Sequence, residues 1–390
     1  MKAPRAVSGT ANEVWFKGGI YLGMRLPLKL GLRGGEGVLS KPTNRSKNDR
    51  DKLAEKRLTC CFFVVLFGAA GAVVGTGKPG GEIARAEQFE RRVAITVDDL
   101  PGAVPARPTT NGELRELERY NQAIPAILKA HRAPATGFVN EKKLHVAGER
   151  DARVALLQRW IDAGFELGNH TYAHVNFNQV SLEEMEDETI RGEVVTRSLL
   201  MAMGKPERYF RYPYLATGPT QELKETFEGF LKSRGYKNAP VTVDNADYMF
   251  NDILHEALAQ KDAKLAEQTK REYLQFAQTE FAYFEEASKQ LFGREIPQVF
   301  LMHDNEINAE TLDELLGLLE KRGYRYVPLD EALADSAYAT PDRFVGTAGI
   351  SWIERWRVFF GQKADYEHDP DPPEWVMKRF REIRRAAANQ

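Results

Sequence analysis

Cysteine is almost missing from this chain of 390 residues, and the two that occur, Cys60 and Cys61, are adjacent. Neighbouring thiols cannot tie distant segments together, so core packing must hold the fold. A net charge is missing as well: 54 Lys+Arg stand against 56 Asp+Glu. Without a field of one sign, neither nucleic acid nor an anionic membrane surface is implied as a partner. The charge runs that do occur, Arg150 to Arg153 and Glu183 to Glu188, read as solvated helix faces. A hydrophobic content of 43% is that of a globular protein.

Leu58 to Val74 is an uncharged run of 17 residues that follows Lys52, Lys56 and Arg57. Basic residues ahead of such a run are the layout of a secretory signal, and Ala84-Arg85-Ala86 supplies a small-x-small cleavage site before Glu87. The expectation is export to the periplasm, the cell surface or the medium. Two rivals stand beside it. An uncleaved anchor would tether the protein to a membrane through 58–74, since 17 residues is just long enough to span one; a buried core helix is the other. Residues 1–50 show no clear periodicity, and Met24 is an alternative start.

From Arg92 onward, strand and helix patterns alternate. Val93 to Val97 reads as a buried strand ending at Asp98-Asp99, and Glu113 to His131 as a helix interrupted by Pro125. A strand over 136–140, a helix over 151–163 and a short strand over 165–168 follow. Ser181-Leu-Glu-Glu184 is a capping box opening a helix that runs to about Gly204. Strands are predicted at 209–211, 241–243, 297–302 and 324–327. Helices are predicted at 221–234, 252–265, 267–292 and 309–322. Alternation of this kind implies an α/β fold with a parallel sheet covered by helices. About seven strands fit a closed or nearly closed, distorted (β/α) barrel, whose chemistry gathers at the carboxyl ends of the strands.

Five polar segments sit at such ends. Asp98-Asp99 offers two carboxylates, one to hold a cation and one to accept a proton from water; the bland alternative is a turn before Leu100-Pro101-Gly102. A nucleophilic phosphotransferase aspartate is disfavoured, because the second acid and threonine of that motif are missing. His170 and His174, four residues apart, share a side of a helical turn, so both imidazoles can reach one ion. An isolated pair at this spacing is more often solvated or buried in a core. Arg211, before Tyr212-Pro213-Tyr214, can orient the free carboxylate and lower its pKa, and the Tyr214 amide can face a developing oxyanion. His303 ends an apolar strand and, kept charged by Asp247, can protonate a leaving amine. Leu301, two residues earlier, would wall a methyl pocket. His131, His145, His255 and His368 have no such setting.

At these residues the chain resembles the polysaccharide deacetylases, the carbohydrate esterases (family 4) that share the NodB homology domain. The resemblance covers roughly 92–335 and keeps the family's motif order. Thr96-Val-Asp98-Asp99 is similar to the first motif, which implies Asp98 as catalytic base and Asp99 as metal ligand. Asn169-His170-Thr-Tyr-Ala-His174 matches the second, which implies both histidine ligands. Arg211-Tyr-Pro213-Tyr214 resembles the third, with Arg211 positioning the base and Tyr214 lining the groove. Asp247-Tyr248 resembles the fourth, and Leu301-Met-His303 the fifth, with His303 as general acid and Leu301 in the acetyl pocket. The family implies a divalent metal, usually zinc, and an N-acetylated glycan as substrate. This chain departs from the pattern at Val97 and Leu100, around the acidic pair, and at Tyr248, where tryptophan is common.

The organisation expected is a signal or anchor segment within 1–86, a deacetylase barrel over 87–340 and a C-terminal helical extension over 341–390. The barrel would carry a helical insertion at 250–295, read as packing elaboration rather than a lid. Trp352, Trp356 and Trp375 in the extension are expected as buried anchors rather than sugar platforms. Two other functions stay open at this point: an amidase or esterase of the same fold acting on a small non-sugar or O-acetylated substrate, and a glycan-binding module without turnover.

Overall fold

Val93 to Asp98 are all buried, in consecutive order, within strand β1 (Arg91–Leu100). A strand buried on both faces belongs in the middle of a helix-covered parallel sheet, and β1 lies there. The computed structural model describes residues 90–103, 113–347, 349–365 and 368–389. The apolar run 58–74, the Ala84–Ala86 site and residues 1–50 lie outside them.

After β1 come α1 (Glu113–Ala130), β2 (Ala135–Val139), α2 (Arg150–Asp162), β3 (Glu166–Asn169), α3 (Leu182–Arg191) and α4 (Val194–Ala202). Next are β4 (Tyr209–Phe210), α5 (Gln221–Ser233), β5 (Lys237–Asn238), α6 (Asp247–Gln260), α7 (Ala263–Phe292) and β6 (Gln298–His303). The chain closes with α8 (Glu306–Lys321), β7 (Tyr324–Tyr326), α9 (Leu329–Leu333), α10 (Trp352–Phe359) and α11 (Glu374–Ala388). The single helix predicted from Ser181 to Gly204 is two. Ser181 caps α3 as expected, its Oγ accepting from the Glu184 amide at 3.1 Å. The break at Gly192 lets the loop carrying His170 pass, since a Cβ there would meet Thr171 at 2.7 Å.

All strand pairs are parallel, in the order β5-β4-β3-β2-β1-β6, with β7 also paired to β1. The strand predicted at 241–243 is a single parallel bridge, Val243 to Phe300, on the outer side of β6. Only residues 239–242 separate Val243 from β5, at the opposite edge. A short link joining both edges requires the sheet to curl, giving the distorted barrel.

The helical insertion packs inward. Phe281 of α7 lies 5.0 Å from Phe300 of β6, and Phe250 of α6 lies 5.5 Å from Tyr273 of α7. Trp352 and Trp356 are buried in the same core, and Val376, Phe380 and Ile383 turn one face of α11 into it. Trp375 is partly buried against that core. No helix among the described residues is long and apolar enough to cross a membrane. Because Phe300 is fully buried three residues before His303, Phe300→Ala is expected to cost about 3–5 kcal/mol. A urea midpoint measured on both proteins checks it.

Candidate active site

Side chains on a strand alternate between faces, so adjacent aspartates should point apart. Asp99 escapes this because its φ is +73°, at the point where the β1–β2 register shifts between Val97 and Leu100. The reversal brings its carboxylate to the side that holds His170 and His174. Asp99 Oδ1 lies 3.6 Å from His174 Nε2 and 3.9 Å from His170 Nε2, and Asp98 Oδ2 lies 3.7 Å from His170 Nε2.

The two histidines meet, but not on a helical turn. Residues 170–175 form an irregular loop in which Thr171 (φ 63°) and His174 (φ 59°) are left-handed. The Asn169 side-chain oxygen accepts from the Thr171 amide at 2.8 Å, and Thr171 Oγ1 accepts from the His174 amide at 3.0 Å. Side chains thus replace the helical hydrogen bonds. Asp99, Thr171, His174, Tyr214, Leu215 and Ala246 are six of the eight left-handed non-glycine residues described. Each costs about 1–2 kcal/mol, and such strain gathers where function fixes the backbone.

His170 is held at its other nitrogen. Its Nδ1 donates to the Arg211 carbonyl at 2.8 Å, which sets the tautomer and leaves Nε2 with a lone pair facing Asp99. Burial pulls the His170 pKa well below the ordinary histidine value, and burial likewise takes His174 down to about 4 despite Asp99. Both rings are therefore neutral at pH 7. For Asp99, burial alone would favour the neutral acid, but Lys143 and His174 outweigh it and hold the carboxyl well below its usual range. Asp99 Oδ1 accepts no hydrogen bond among the described residues. Ligand atoms of the three lie within 4.8 Å of one another. One anion and two neutral imidazoles with converging lone pairs fit a divalent cation.

Arg211 lies fully buried beneath Asp98, with Nη2 donating to Thr96 Oγ1 at 2.8 Å and Nη1 3.5 Å from Asp98 Oδ2. Its guanidinium stacks on Phe138, 4.7 Å from the ring centre. As expected, Arg211 pulls the Asp98 pKa down, but a stronger opposing effect outweighs it. Burial dominates and pushes Asp98 up to about 6, with Arg211 only limiting the rise.

On the far side of β1, His303 Nδ1 donates to Asp247 Oδ1 at 2.6 Å, and the His303 amide donates to Asp247 Oδ2 at 2.7 Å. Register pairs Asp98 directly with His303. Burial alone would discharge His303, but the Asp247 carboxylate wins and raises it to about 10. Tyr214 (φ 56°) sets its ring 4.3 Å from that of His174, edge to face. Tyr248 lies 6.4 Å from the His303 ring, and Leu301 is buried on the same strand face as His303.

The sequence model of the family described as polysaccharide deacetylase matches residues 85–230, the stretch that carries Asp98, Asp99, His170, His174 and Arg211. The chain contains a polysaccharide deacetylase domain. Its similar proteins include the peptidoglycan-N-acetylmuramic acid deacetylase PdaA of Bacillus subtilis (strain 168), 24% identical over 223 residues, 57% of this chain and 69% of that one. Among solved structures, the family 4 carbohydrate esterase of Streptomyces lividans in complex with acetate is 19% identical (TM-score 0.38), across 62% of this chain and 95% of that one. A family 4 pseudoenzyme from Bacillus anthracis is also 19% identical, across 63% of this chain and 66% of that one, with a TM-score of 0.40.

Several residues around this site escaped the sequence reading. Lys143 Nζ donates to the Asp99 carbonyl at 2.9 Å and lies 3.2 Å from Asp99 Oδ1. It follows the end of β2, so the rule that strand ends carry chemistry would have reached it. Asn308 on α8 donates to Asp247 Oδ2 at 2.5 Å and to the His303 carbonyl at 2.9 Å. Tyr273 of the insertion donates to Asn308 Oδ1 at 2.6 Å and accepts from Asn245 Nδ2 at 2.8 Å. The insertion thereby buttresses the Asp247–His303 pair. No spacing in the sequence signals these contacts. His131 pairs with Asp313 and Glu320 at the surface, and His368 is exposed.

Proposed function

We propose that this protein hydrolyses the acetamide of an N-acetylated polysaccharide or oligosaccharide, using a divalent cation, zinc by its donor set, held by Asp99, His170 and His174. When bound, the cation would hold negative charge on the acetyl carbonyl and acidify water. Asp98, anionic above about pH 6, accepts the proton of the attacking water. Arg211 and Thr96 keep that carboxylate in place. The Tyr214 amide faces the oxygen that gains charge, while Leu301 and Tyr248 line the space for the acetyl methyl. His303 remains protonated to about pH 10 and gives its proton to the departing nitrogen as the C–N bond breaks. Water supplies hydroxyl to the acyl carbon, so acetate and a free amine are the products. Export through the N-terminal segment would bring the enzyme to such a glycan.

One observation carries this reading: two neutral imidazoles and an anionic Asp99 converge beside a separate carboxylate, with a protonated histidine opposite. PdaA, by its name, acts on peptidoglycan, which makes that polymer the first to assay. Acetate release by the purified full chain should be measured on peptidoglycan, chito-oligosaccharides, acetylated xylan and small amides, before and after chelation. Release from N-acetylated glycan, lost on chelation and restored by zinc, is expected. Preference for small amides would transfer the assignment to an amidase of the same fold. Full activity after complete metal removal would end the proposal.

A further inference from the structure

The turn that carries Tyr214 is met by residues from far along the chain. Tyr214 and Leu215 are consecutive left-handed residues with φ of 56° and 53°, and neither is glycine. Within the turn, the Leu215 N–H donates to the Tyr212 carbonyl at 3.1 Å and the Ala216 N–H to the Pro213 carbonyl at 3.0 Å. Further restraint arrives from residues 342–347 and 349–355. Gly349 lies so close that a Cβ would sit 1.7 Å from the Tyr214 carbonyl oxygen. Arg355, 1% exposed, donates through Nη2 to the Leu215 carbonyl and through Nη1 to Thr217 Oγ1 at 3.0 Å.

Arg355 is itself fixed on every side. Its Nη1 also donates to Asp342 Oδ2 at 3.0 Å, and its Nε to the Ile350 carbonyl at 3.1 Å. The guanidinium plane lies between Trp352 and Phe344, 4.4 and 5.1 Å from the ring centres. Lys224, buried on α5, ties down the same segment through the Phe344 carbonyl at 2.7 Å and Asp342 Oδ2 at 3.0 Å. At its other end, the Trp352 amide donates to the Val241 carbonyl at 2.7 Å, and Ser351 Oγ to the Thr242 carbonyl at 2.8 Å. The segment thus runs from α5 to the strand-end segment beside β6 and crosses the Tyr214 turn on the way.

We infer that the C-terminal residues 342–347 and 349–355 form a strap that positions the active site, with Arg355 as the positioning residue that holds the Tyr214 amide at the developing oxyanion. This rests on the deacetylase reading above. Arginine suits the task because its planar fork reaches a carbonyl and a hydroxyl at once while remaining charged in a buried setting. Lysine would offer one point of attachment.

The test compares the wild-type full chain with Arg355→Ala, Arg355→Lys and Gly349→Ala, and with Arg379→Ala on α11 as a control outside the strap. Amide hydrogen exchange over 212–218 is measured alongside acetate release from a chito-oligosaccharide and zinc content. For the Arg355 variants, exchange at Leu215 and Ala216 should rise at least tenfold. kcat should fall roughly 10- to 100-fold, somewhat less than outright loss of an oxyanion donor. KM should stay within threefold and zinc content unchanged, with Arg355→Lys intermediate and Arg379→Ala like wild type. Should Arg355→Ala fail to fold, Gly349→Ala strains the same turn from the other side and must give the same pattern. Unchanged exchange over 212–218, or raised exchange with unchanged kcat, overturns the inference. Should the wild type release no acetate from any glycan, the deacetylase reading fails, and the exchange result alone then decides whether the strap holds the turn.

Discussion

Asp99→Ala and His170→Ala proteins are expected to retain no stoichiometric zinc after dialysis and to release no measurable acetate. Asp98→Asn is expected to keep its zinc and lose rate by about 10²- to 10⁴-fold, the range for removal of a general base. The contrast follows from geometry. Asp99 Oδ1 is the oxygen that faces both Nε2 atoms, at 3.6 and 3.9 Å. Asp98 Oδ2 faces one imidazole, His170 Nε2 at 3.7 Å, and lies 3.5 Å from the Arg211 guanidinium, and burial leaves its pKa at about 6. A charged ligand cannot be spared from a set of three, whereas asparagine at 98 preserves the packing and removes only the basic oxygen. Metal analysis of each dialysed protein alongside acetate release distinguishes the two roles. Zinc retained at wild-type level in Asp99→Ala, or lost in Asp98→Asn, would reverse the assignment of the adjacent acids.

Asp247→Asn should show the second large effect, on both the pH profile and stability. Asp247 raises His303 to about 10 against the opposing pull of burial. The wild type should therefore keep its general acid through neutral pH and lose activity only as pH approaches 10. With the Asp247 carboxylate gone, burial is opposed only by the weaker pull of Asp99 and Asp98, and the His303 pKa falls. The basic limb of kcat/KM should move to lower pH, with a rate at pH 8 reduced about 10²- to 10⁴-fold. The sign for stability is the same. A histidine whose folded pKa lies above its unfolded value contributes stability fully present below about pH 6.5 and lost as pH rises through about 10. Asp247→Asn should therefore cost about 3–5 kcal/mol at pH 6, as when one partner of a buried pair is removed, and less near pH 10. An unshifted basic limb would mean that His303 is not the proton donor.

Both experiments depend on residues that local pattern made visible. Val93–Val97, Thr136–Val139 and Val299–Met302 are apolar, β-rich runs whose polar endings stand out, so the catalytic candidates could be found without a structure. Short elements were less legible. β5 is two residues, Lys237 and Asn238, with no periodicity to detect, whereas the strand predicted at 241–243 exists only as the Val243 bridge. The break between α3 and α4 went unread because glycine inside a helical pattern is tolerated, and its reason lies in the distant loop at Thr171. The histidine pair was found for a helical spacing it does not adopt, since Asn169 and Thr171 side chains take over the backbone bonds. The downward pull of Arg211 on the Asp98 pKa was legible, because charge partners can be guessed from motifs, whereas the burial that outweighs it was not.

The amino-acid order alone determined the strand–helix alternation, the parallel sheet and the identity of the acids, imidazoles and arginine at the strand ends, because these depend on local periodicity and residue chemistry. Tertiary structure decided the rest. The left-handed turn at Asp99 joins two adjacent carboxylates on one side of β1, α7 buttresses Asp247 through Tyr273 and Asn308, and Arg355 reaches back to the Tyr214 turn. Strained backbone and buried charge persist only when many remote contacts hold them at once, and those contacts exist only after the chain has closed on itself.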